Sequence, residues 1–423
     1  MIYNATKYNT GWKTKKLCEL GDFSRGKSKH RPRNDPKLFE GGKYPLVQTG
    51  DVKASNLYIS NHSQEYGDFG LQQSKLWDAG TLCITIAANI AETGILEYPM
   101  CFPDSIVGFN AYPGESSELF MHYVFTYIRN SIQNSVIGSI QDNINIGYLS
   151  SLDFKVPEKP YQDKIVQVLS LLDRKVHLNK RINAELEAMA KTLYDYWFVQ
   201  FDFPDENGNP YRSSGGAMEW NEQLKREIPK GWHTAYLYDM VTIDNTSVNP
   251  AKLGTTVMEH YSIPAFDDSR YPIFEPAGII ESGKYEVPVD SILVSKLNPQ
   301  FKRIWDPFCF TKHSICSTEF MVYQVNNVRL RPYCFALVNS DGFYAHMTAK
   351  AISSTGSRKR IQPDVSLSYS FAAPPDDAML LTFADFYQPI MEKQKKMHLE
   401  NYELTRLRDW LLPMLMNGQA TVK

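Results

Sequence analysis

Two long helical patterns constrain the fold of this 423-residue chain more than any other feature. Apolar residues recur at positions a and d of a heptad over 165–196, and the same frame returns over 386–414, with Leu186 and Leu404 in equivalent slots 218 positions apart. Such a stripe buries one face of a helix. The residues that we expect to pack along the two stripes are Leu172, Asn179, Ile182, Leu186, Leu193, Ile390, Met397, Leu404 and Leu411, and the same frame includes Met189, Tyr196 and Phe386.

The two patterns predict a pair of helices of about 35 residues, each roughly 50 Å long. Two matched stripes favour an antiparallel coiled coil, in which the amide of Asn179 at an a position fixes the register. The alternative is that each helix packs only on its own globular domain. Pro389 predicts a kink or a restart in the second helix, and Pro413 followed by Gly418 predicts its end.

The repeat extends beyond the helices. Gly11-Trp12 matches Gly231-Trp232, the apolar run 82–86 matches 292–297, and Gly-Ser occurs at both 138 and 356. We therefore expect an α+β chain of two similar mixed domains with a pseudo-twofold internal repeat. The predicted segments are a first domain (1–158), a first long helix (159–200), a linker (201–229), a second domain (230–375), and a second long helix with a C-terminal tail (376–423).

Charge and cysteine usage narrow the class of protein. The net charge is −2, and none of the six cysteines forms a Cys-x-x-Cys pair, so a disulfide framework and a zinc site are both unexpected. No apolar run is long enough to cross a bilayer, and the N-terminus lacks the pattern of a signal peptide. These features predict a cytoplasmic protein without a metal or other cofactor.

Local basic and amide-rich segments predict contacts with DNA, because cations neutralise phosphates and amides read base edges. The candidates in the first domain are Arg25, Lys27, Lys29, Arg31, Arg33, Gln48, Thr49, Gln141 and Asn143. The candidates in the second domain are Lys296, Asn298, Gln300, Lys302, Arg303, Arg358, Lys359 and Arg360. The alternatives are a solvated charged loop for the Arg25–Arg33 run and a capped turn for Gln48 and Thr49.

Several segments resemble one known family. The stretches "ELEAMAKTLYDYWFVQFDFP" (185–204) and "LRDWLLPMLMNGQ" (407–419), the Pro-Lys-Gly-Trp run at 229–232 and the two Gly-Ser stretches resemble specificity subunits of type I restriction–modification systems. The resemblance covers nearly the whole chain and is strongest in the helices and the linker. It implies two target recognition domains separated by the helix pair, which read a bipartite, asymmetric sequence of double-stranded DNA with an unread spacer set by the helix length. It also implies two adenine methyltransferase subunits as partners, with endonuclease/translocase subunits added through them.

Two other classes of function compete with this one. One is a single-chain nuclease or methyltransferase, but the Asn/Asp-Pro-Pro-aromatic stretch that a methyltransferase needs does not occur in the sequence. A helical scaffold that does not bind DNA would show little salt-dependent affinity for a duplex. We therefore expect a non-catalytic, DNA-reading subunit, with no catalytic residue to assign.

Overall fold

A computed structural model of the chain describes residues 4–55, 57–137, 144–355 and 358–422, with the backbone alone at 135–137 and 353–355. Its contacts define two compact units. Unit 1 comprises Met1–His177 and Glu403–Lys423, and unit 2 comprises Leu178–Tyr402. Each unit therefore contains one globular domain and a part of both long helices, and the linear segment boundaries stay a prediction.

The globular part of unit 1 alternates short strands with short helices. Its strands are β1 (Lys13–Lys16), β2 (Gly21–Arg25), β3 (Tyr44–Leu46), β4 (Tyr58–Ile59), β5 (Gln64–Tyr66), β6 (Leu76–Trp77), β7 (Leu82–Thr85), β8 (Thr93–Leu96), β9 (Met100–Cys101), β10 (Ile106–Ala111) and β11 (Asp153–Val156). Its helices are α1 (Leu17–Leu20), α2 (Thr49–Ala54), α3 (Asp68–Gln72), α4 (Glu118–Ile137) and α5 (Ile146–Ser151), followed by the first long helix, α6 (Lys159–Tyr194).

Two sheets organise unit 1. One has the order β2-β10-β7-β8-β4 and the other β5-β3-β9-β6, and β1 pairs with β11 beside them. The strand β7 is buried along its whole length, and α4 packs on the same core through Phe120, Val124 and Ile128. Apolar residues three or four positions apart lie on one face of a helix, which explains why this part of α4 faces the sheet.

Unit 2 begins within α6, which continues as one π-helical turn (Asp195–Val199). Its strands are β12 (Met218–Asn221), β13 (Arg226–Pro229), β14 (His233–Tyr236), β15 (Val241–Asp244), β16 (Ser247–Val248), β17 (Val257–Tyr261), β18 (Ile273–Pro276), β19 (Lys284–Glu286), β20 (Ile292–Ser295), β21 (Ile304–Trp305), β22 (Ser314–Ser317), β23 (Phe320–Val325), β24 (Ile352–Thr355), β25 (Arg358–Arg360) and β26 (Ser370–Ala373). Its helices are α7 (Leu237–Met240), α8 (Ile263–Asp268), α9 (Arg331–Asn339), α10 (Asp341–Ala349), α11 (Pro363–Leu367) and the second long helix, α12 (Ala378–Met416).

The strand pairings of unit 2 repeat those of unit 1. The order β15-β23-β20 matches β2-β10-β7, the order β18-β17-β22-β19 matches β5-β3-β9-β6, and the pair β14–β26 matches β1–β11. Even the parallel pair β3–β9 has its counterpart in β17–β22. The internal repeat and the mixed α/β class predicted from the sequence are therefore confirmed.

The long helices contact each other in antiparallel orientation. In unit 2, Nδ2 of Asn179 donates to Oε2 of Glu400 at 2.7 Å, and Nε2 of Gln394 donates to the carbonyl of Asn183 at 3.3 Å. The helices also bind the globular domains, since Lys395 of α12 lies 3.2 Å from Asp306. Both predicted packing modes are present together. The second helix is continuous through Pro389 and ends at Met416, so the proline does not restart it.

The predicted packing residues differ in their burial. Asn179 and Met397 are buried, whereas Leu172, Ile182, Leu186, Leu193, Ile390, Leu404 and Leu411 are half-buried. The heptad frame is wrong at Met189, Tyr196 and Phe386, which are 61%, 38% and 59% exposed. Because α6 packs on a globular domain as well as on α12, its buried face is centred on neighbouring positions such as Val176, Ala190 and Trp197.

Within the described residues, no helix combines the length and the apolar character that a membrane span requires.

Candidate nucleic-acid interface

The basic segment of unit 1 follows β2 directly and is held by backbone contacts. The amide of Lys29 donates to the carbonyl of Gln73 at 3.1 Å, and the hydroxyl of Ser74 donates to the carbonyl of Lys27 at 3.0 Å. Gly26 is required here because a Cβ at this position would lie 2.3 Å from the carbonyl oxygen of Phe102. The fold therefore fixes the path of the segment while its side chains point outward.

The cations of this segment fall into two groups. Arg25, Lys27 and Lys29 are exposed, and no carboxylate partner for them is found among the described residues. Arg31 and Arg33 share one carboxylate, Asp104, at 3.6 and 2.6 Å. One carboxylate cannot neutralise two guanidinium groups, so the whole segment keeps a net positive charge.

Gln48 and Thr49 lie where β3 turns into α2. The carboxylate of Asp51 accepts from the backbone amide of Gln48 at 2.7 Å and so caps this turn. The side-chain amide of Gln48 reaches Gln64 at 3.3 Å, and the carbonyl of Thr49 accepts from Asn89 at 3.5 Å. The capping role thus belongs to Asp51, and the polar groups of Gln48 and Thr49 remain half-exposed beside it.

In unit 2 the structure joins two segments that lie far apart in sequence. The loop after β20 meets the β24–β25 hairpin through Asn298, whose amide donates to the carbonyl of Lys359 at 2.7 Å. In return, Oδ1 of Asn298 accepts from the amide of Lys359 at 2.9 Å. The amide of Ile361 also donates to the carbonyl of Lys296 at 3.1 Å. We name the resulting surface, formed by residues 296–303 and 358–360, the unit 2 basic surface.

Two arginines of the unit 2 basic surface are committed to carboxylates. Arg303 makes a bidentate contact with Asp267 at 2.7 and 2.8 Å, and its side chain is only 14% exposed. Arg360 makes a bidentate contact with Glu319, with its shortest distance at 2.6 Å, and this contact lowers the pKa of the Glu319 carboxyl. Bidentate arginine pairs are geometrically specific, so these two residues organise the surface.

The remaining groups of the unit 2 basic surface are more available. Arg358 and Lys359 are exposed, Lys296 is half-buried, and none of the three has a carboxylate partner in the described ranges. Lys302 is exposed, but its ammonium group donates a hydrogen bond to the carbonyl of Asn339. Gln300 is exposed as well.

Sequence reasoning missed Phe301 in this surface. Its ring is 55% exposed and lies 5.2 Å from the guanidinium of Arg303. Its place in the run "NPQFKR", between an amide and two cations, was the available signal. An exposed ring among cations can stack on a base.

Two candidates from the sequence, Gln141 and Asn143, lie outside the described residues. No group of His, Cys, Asp and Glu that could hold a metal ion is found in the described part of the chain.

Comparison with known proteins finds similarity to specificity subunits of type I restriction–modification systems. Residues 9–188 match the family model of the type I restriction modification DNA specificity domain. The type I restriction enzyme MjaIX specificity subunit of Methanocaldococcus jannaschii is 22% identical over 433 aligned positions, which cover 97% of this chain and 94% of that protein. The type I restriction enzyme HindI specificity subunit of Haemophilus influenzae is 42% identical over 83 residues, or 20% of this chain and 17% of that protein.

A solved structure agrees at the level of the fold. The type I restriction–modification S subunit from M. genitalium has a TM-score of 0.57 and 15% sequence identity, and the match covers 98% of this chain and 99% of that one. Residues 9–188 thus match the type I restriction modification DNA specificity domain, and the chain is similar over nearly its whole length to a type I restriction enzyme specificity subunit.

Proposed function

We propose that this DNA specificity subunit reads a bipartite, asymmetric target in double-stranded DNA, with one half-site bound by each unit. One observation carries the proposal: the scaffold recurs in both units, whereas the basic side chains lie at different positions on it. The two units share most of the strand pairings of unit 1, yet their basic groups follow different strands: β2 in unit 1, and β20 together with the β24–β25 hairpin in unit 2. Two units with one architecture but different side chains are suited to binding two different half-sites.

Within each unit we assign two kinds of contact. Exposed cations without carboxylate partners, such as Lys27 and Lys359, neutralise phosphates and set the affinity. Amide groups beside them, such as those of Gln48 and Gln300, are placed to read base edges. Phe301 adds a ring that can stack in the unit 2 basic surface.

A domain exchange tests the assignment of one half-site to each unit. Residues 230–375 are replaced by the corresponding domain of another specificity subunit, and the methylated sequence is determined after co-expression with methyltransferase subunits. One half of the target should change while the other stays the same. A change in both halves would contradict independent readers.

We further propose that each unit offers a docking surface for one methyltransferase subunit, through which endonuclease/translocase subunits are added. The long helices leave large apolar side chains uncovered in both units. Leu171, Leu407 and Trp410 are 58%, 43% and 58% exposed in unit 1, and Leu178, Met189 and Phe386 are 50%, 61% and 59% exposed in unit 2. Met189 and Leu407 occupy equivalent slots of the repeat, 218 positions apart. Exposed apolar groups of this size are typical of protein interfaces.

Docking can be tested by copurification without DNA. Met189→Glu and Leu407→Glu should each reduce the amount of methyltransferase subunit retained, and the double variant should abolish it. Leu253→Glu is the matched control, because Leu253 is 42% exposed but lies outside both long helices. Full retention by the double variant would remove these helix faces from the interface.

We propose that the chain itself catalyses no chemical step. We also propose that it acts in the cytoplasm. The absence from the sequence of the methyltransferase motif named above supports the first of these proposals. Purified full-length protein should therefore not bind S-adenosylmethionine in equilibrium dialysis, and saturable binding would contradict the assignment.

A further inference from the structure

The two long helices end in the same way but are followed by different side chains. In unit 2 the helical region ends at Val199, and Phe201 two residues later has a φ of +65°. In unit 1 the helix α12 ends at Met416, and Gly418 two residues later has a φ of +78°. The amide of Asp202 donates to the carbonyl of Tyr196 at 2.8 Å, and the amide of Ala420 donates to the carbonyl of Met414 at 2.9 Å. The offset of 218 therefore holds through both turns and equates Phe201 with Gln419, and Phe203 with Thr421.

In unit 2 the segment after the helix covers a tryptophan. Phe203 stacks on Trp232 with ring centroids 5.3 Å apart, and Phe201 meets the same ring edge-on at 5.4 Å. Tyr211 stacks on the other side of Phe203 at 4.8 Å. Trp232 is consequently only 7% exposed.

In unit 1 the equivalent tryptophan, Trp12, has no such cover from the residues that the structure describes. It is half-buried, and its ring contact is edge-on with Tyr161 at 6.3 Å. A groove of about 370 Å³ lies here, lined in part by Tyr8, Trp12, Tyr161 and Gly418. Gln419 and Thr421 stand where unit 2 has two phenylalanines, so this segment places no ring over Trp12.

Among the described residues, more basic than acidic side chains surround this groove. Lys13 lines the groove, and the ammonium of Lys7 lies 5.0 Å from the ring centroid of Tyr8. Among the described residues that line the groove, Glu158 is the one carboxylate, and it lies 3.9 Å from Lys13. In unit 2 the covering segment carries an acidic residue, Asp202, between its two phenylalanines.

We propose that the Trp12 groove binds an extended segment of another polypeptide in which two aromatic side chains flank an acidic one. The rings take the places that Phe201 and Phe203 occupy in unit 2, and the acidic group faces Lys7 and Lys13. A second copy of this chain does not supply the segment, because Phe201 and Phe203 are 0% and 5% exposed in their own unit. This surface is distinct from the exposed helix residues assigned above to methyltransferase docking.

The chain's own covering segment is a suitable probe. A fluorescently labelled peptide with the sequence of residues 199–211 is titrated into the full-length protein, and binding is followed by anisotropy. Saturable binding with a Kd below about 1 mM is expected. A peptide with Phe203→Ala should bind about tenfold more weakly, because it loses the ring that stacks on tryptophan.

Two protein variants and a control locate the peptide. Trp12→Ala should weaken binding about tenfold, and Thr421→Phe should prevent it by placing a ring in the groove, which Thr421 lines. The second variant decides the question if Trp12→Ala does not fold. Trp220→Ala is the control, since Trp220 is 57% exposed on β12 of unit 2. Absence of saturation up to about 1 mM peptide, or undiminished binding to Thr421→Phe, overturns the proposal.

Discussion

Arg408 of α12 donates from Nη1 to Oδ1 of Asp173 of α6 at 2.8 Å, within unit 1. The second carboxylate oxygen of Asp173 accepts from the hydroxyl of Tyr123 on α4 at 2.6 Å. Asp173 is only 4% exposed, so one buried carboxylate joins both long helices to the globular domain. Unit 2 has a comparable arrangement, in which Asp306 accepts from Arg331 and from Lys395 of α12.

Replacing this carboxylate should destabilise unit 1. Asp173→Asn leaves the guanidinium of Arg408 without its partner charge, and we expect the free energy of unfolding of unit 1 to fall by about 3 kcal/mol. Hydrogen exchange of the α4 amides measures this quantity for unit 1 alone. Asp163→Asn is the control: Asp163 pairs with Lys159 on the surface of the same helix, with its side chain 54% exposed, and its loss should cost below about 0.5 kcal/mol.

A buried histidine predicts a pH dependence for the same unit. His122 is 4% exposed, and burial, followed by repulsion from Arg129 and Arg408, lowers its pKa from 6.5 to about 3. As the pH falls below 6.5, the imidazole of His122 becomes protonated in the unfolded chain, whereas in the folded chain it stays neutral until about pH 3. This group therefore reduces the stability of unit 1 across that window, by up to about 1.4 kcal/mol per pH unit.

His122→Gln removes that contribution. Relative to wild type, the variant should become steadily more stable as the pH falls from 6.5 to about 4.5, when unfolding free energies are measured by hydrogen exchange at each pH. A difference between the two proteins that is the same at both pH values would contradict the assignment.

The free cations of the unit 2 basic surface should control the salt dependence of DNA binding. Each lost phosphate contact reduces the slope of log K against log salt by about 0.9. The triple variant Lys296→Gln, Arg358→Gln and Lys359→Gln should reduce it by up to about 2.7, measured on a complex with the proposed methyltransferase partners. Lys225→Gln, which removes an exposed lysine paired with Glu222, should leave the slope unchanged. An unaltered slope in the triple variant would place the DNA elsewhere.

Asn298 should contribute to this surface mainly by holding the loop after β20 against the β24–β25 hairpin. Its Oδ1 accepts from the amide of Lys359, and its φ is +48°, a conformation that asparagine tolerates better than most residues. Asn298→Ala removes the acceptor at a cost of about 1 kcal/mol, so the Lys359 amide should exchange with solvent about fivefold faster. Gln300→Ala changes an exposed side chain and should leave that exchange rate as it is. Equal rates in Asn298→Ala and wild type would show that the loop and the hairpin are held by other contacts.

Much of the architecture was predictable because it depends on local patterns that occur twice. The heptad stripes gave two helices whose observed ends, Tyr194 with its π-helical extension and Met416, lie close to the predicted ones. The matched Gly-Trp pairs anticipated the equivalent strands β1 and β14, which start one residue after each tryptophan. The exact buried face was not predictable, since Met189 and Phe386 satisfy the heptad while the globular domains determine which side is covered.

The candidate site was less accessible to sequence reasoning. The individual basic segments could be seen, but their pairing through Asn298 and Lys359 joins residues about sixty positions apart and depends on the tertiary fold. The same holds for Arg303 and Arg360, whose carboxylate partners Asp267 and Glu319 are distant in sequence and convert two apparent DNA contacts into organising residues.

Mapping N6-methyladenine across a host genome tests whether the two units read two different half-sites. The chain is co-expressed for this purpose with the proposed methyltransferase partners. We expect one new methylated motif made of two unlike specified halves separated by unspecified bases. A single continuous motif, two identical halves, or the absence of any sequence-specific methylation by an assembled complex would contradict it.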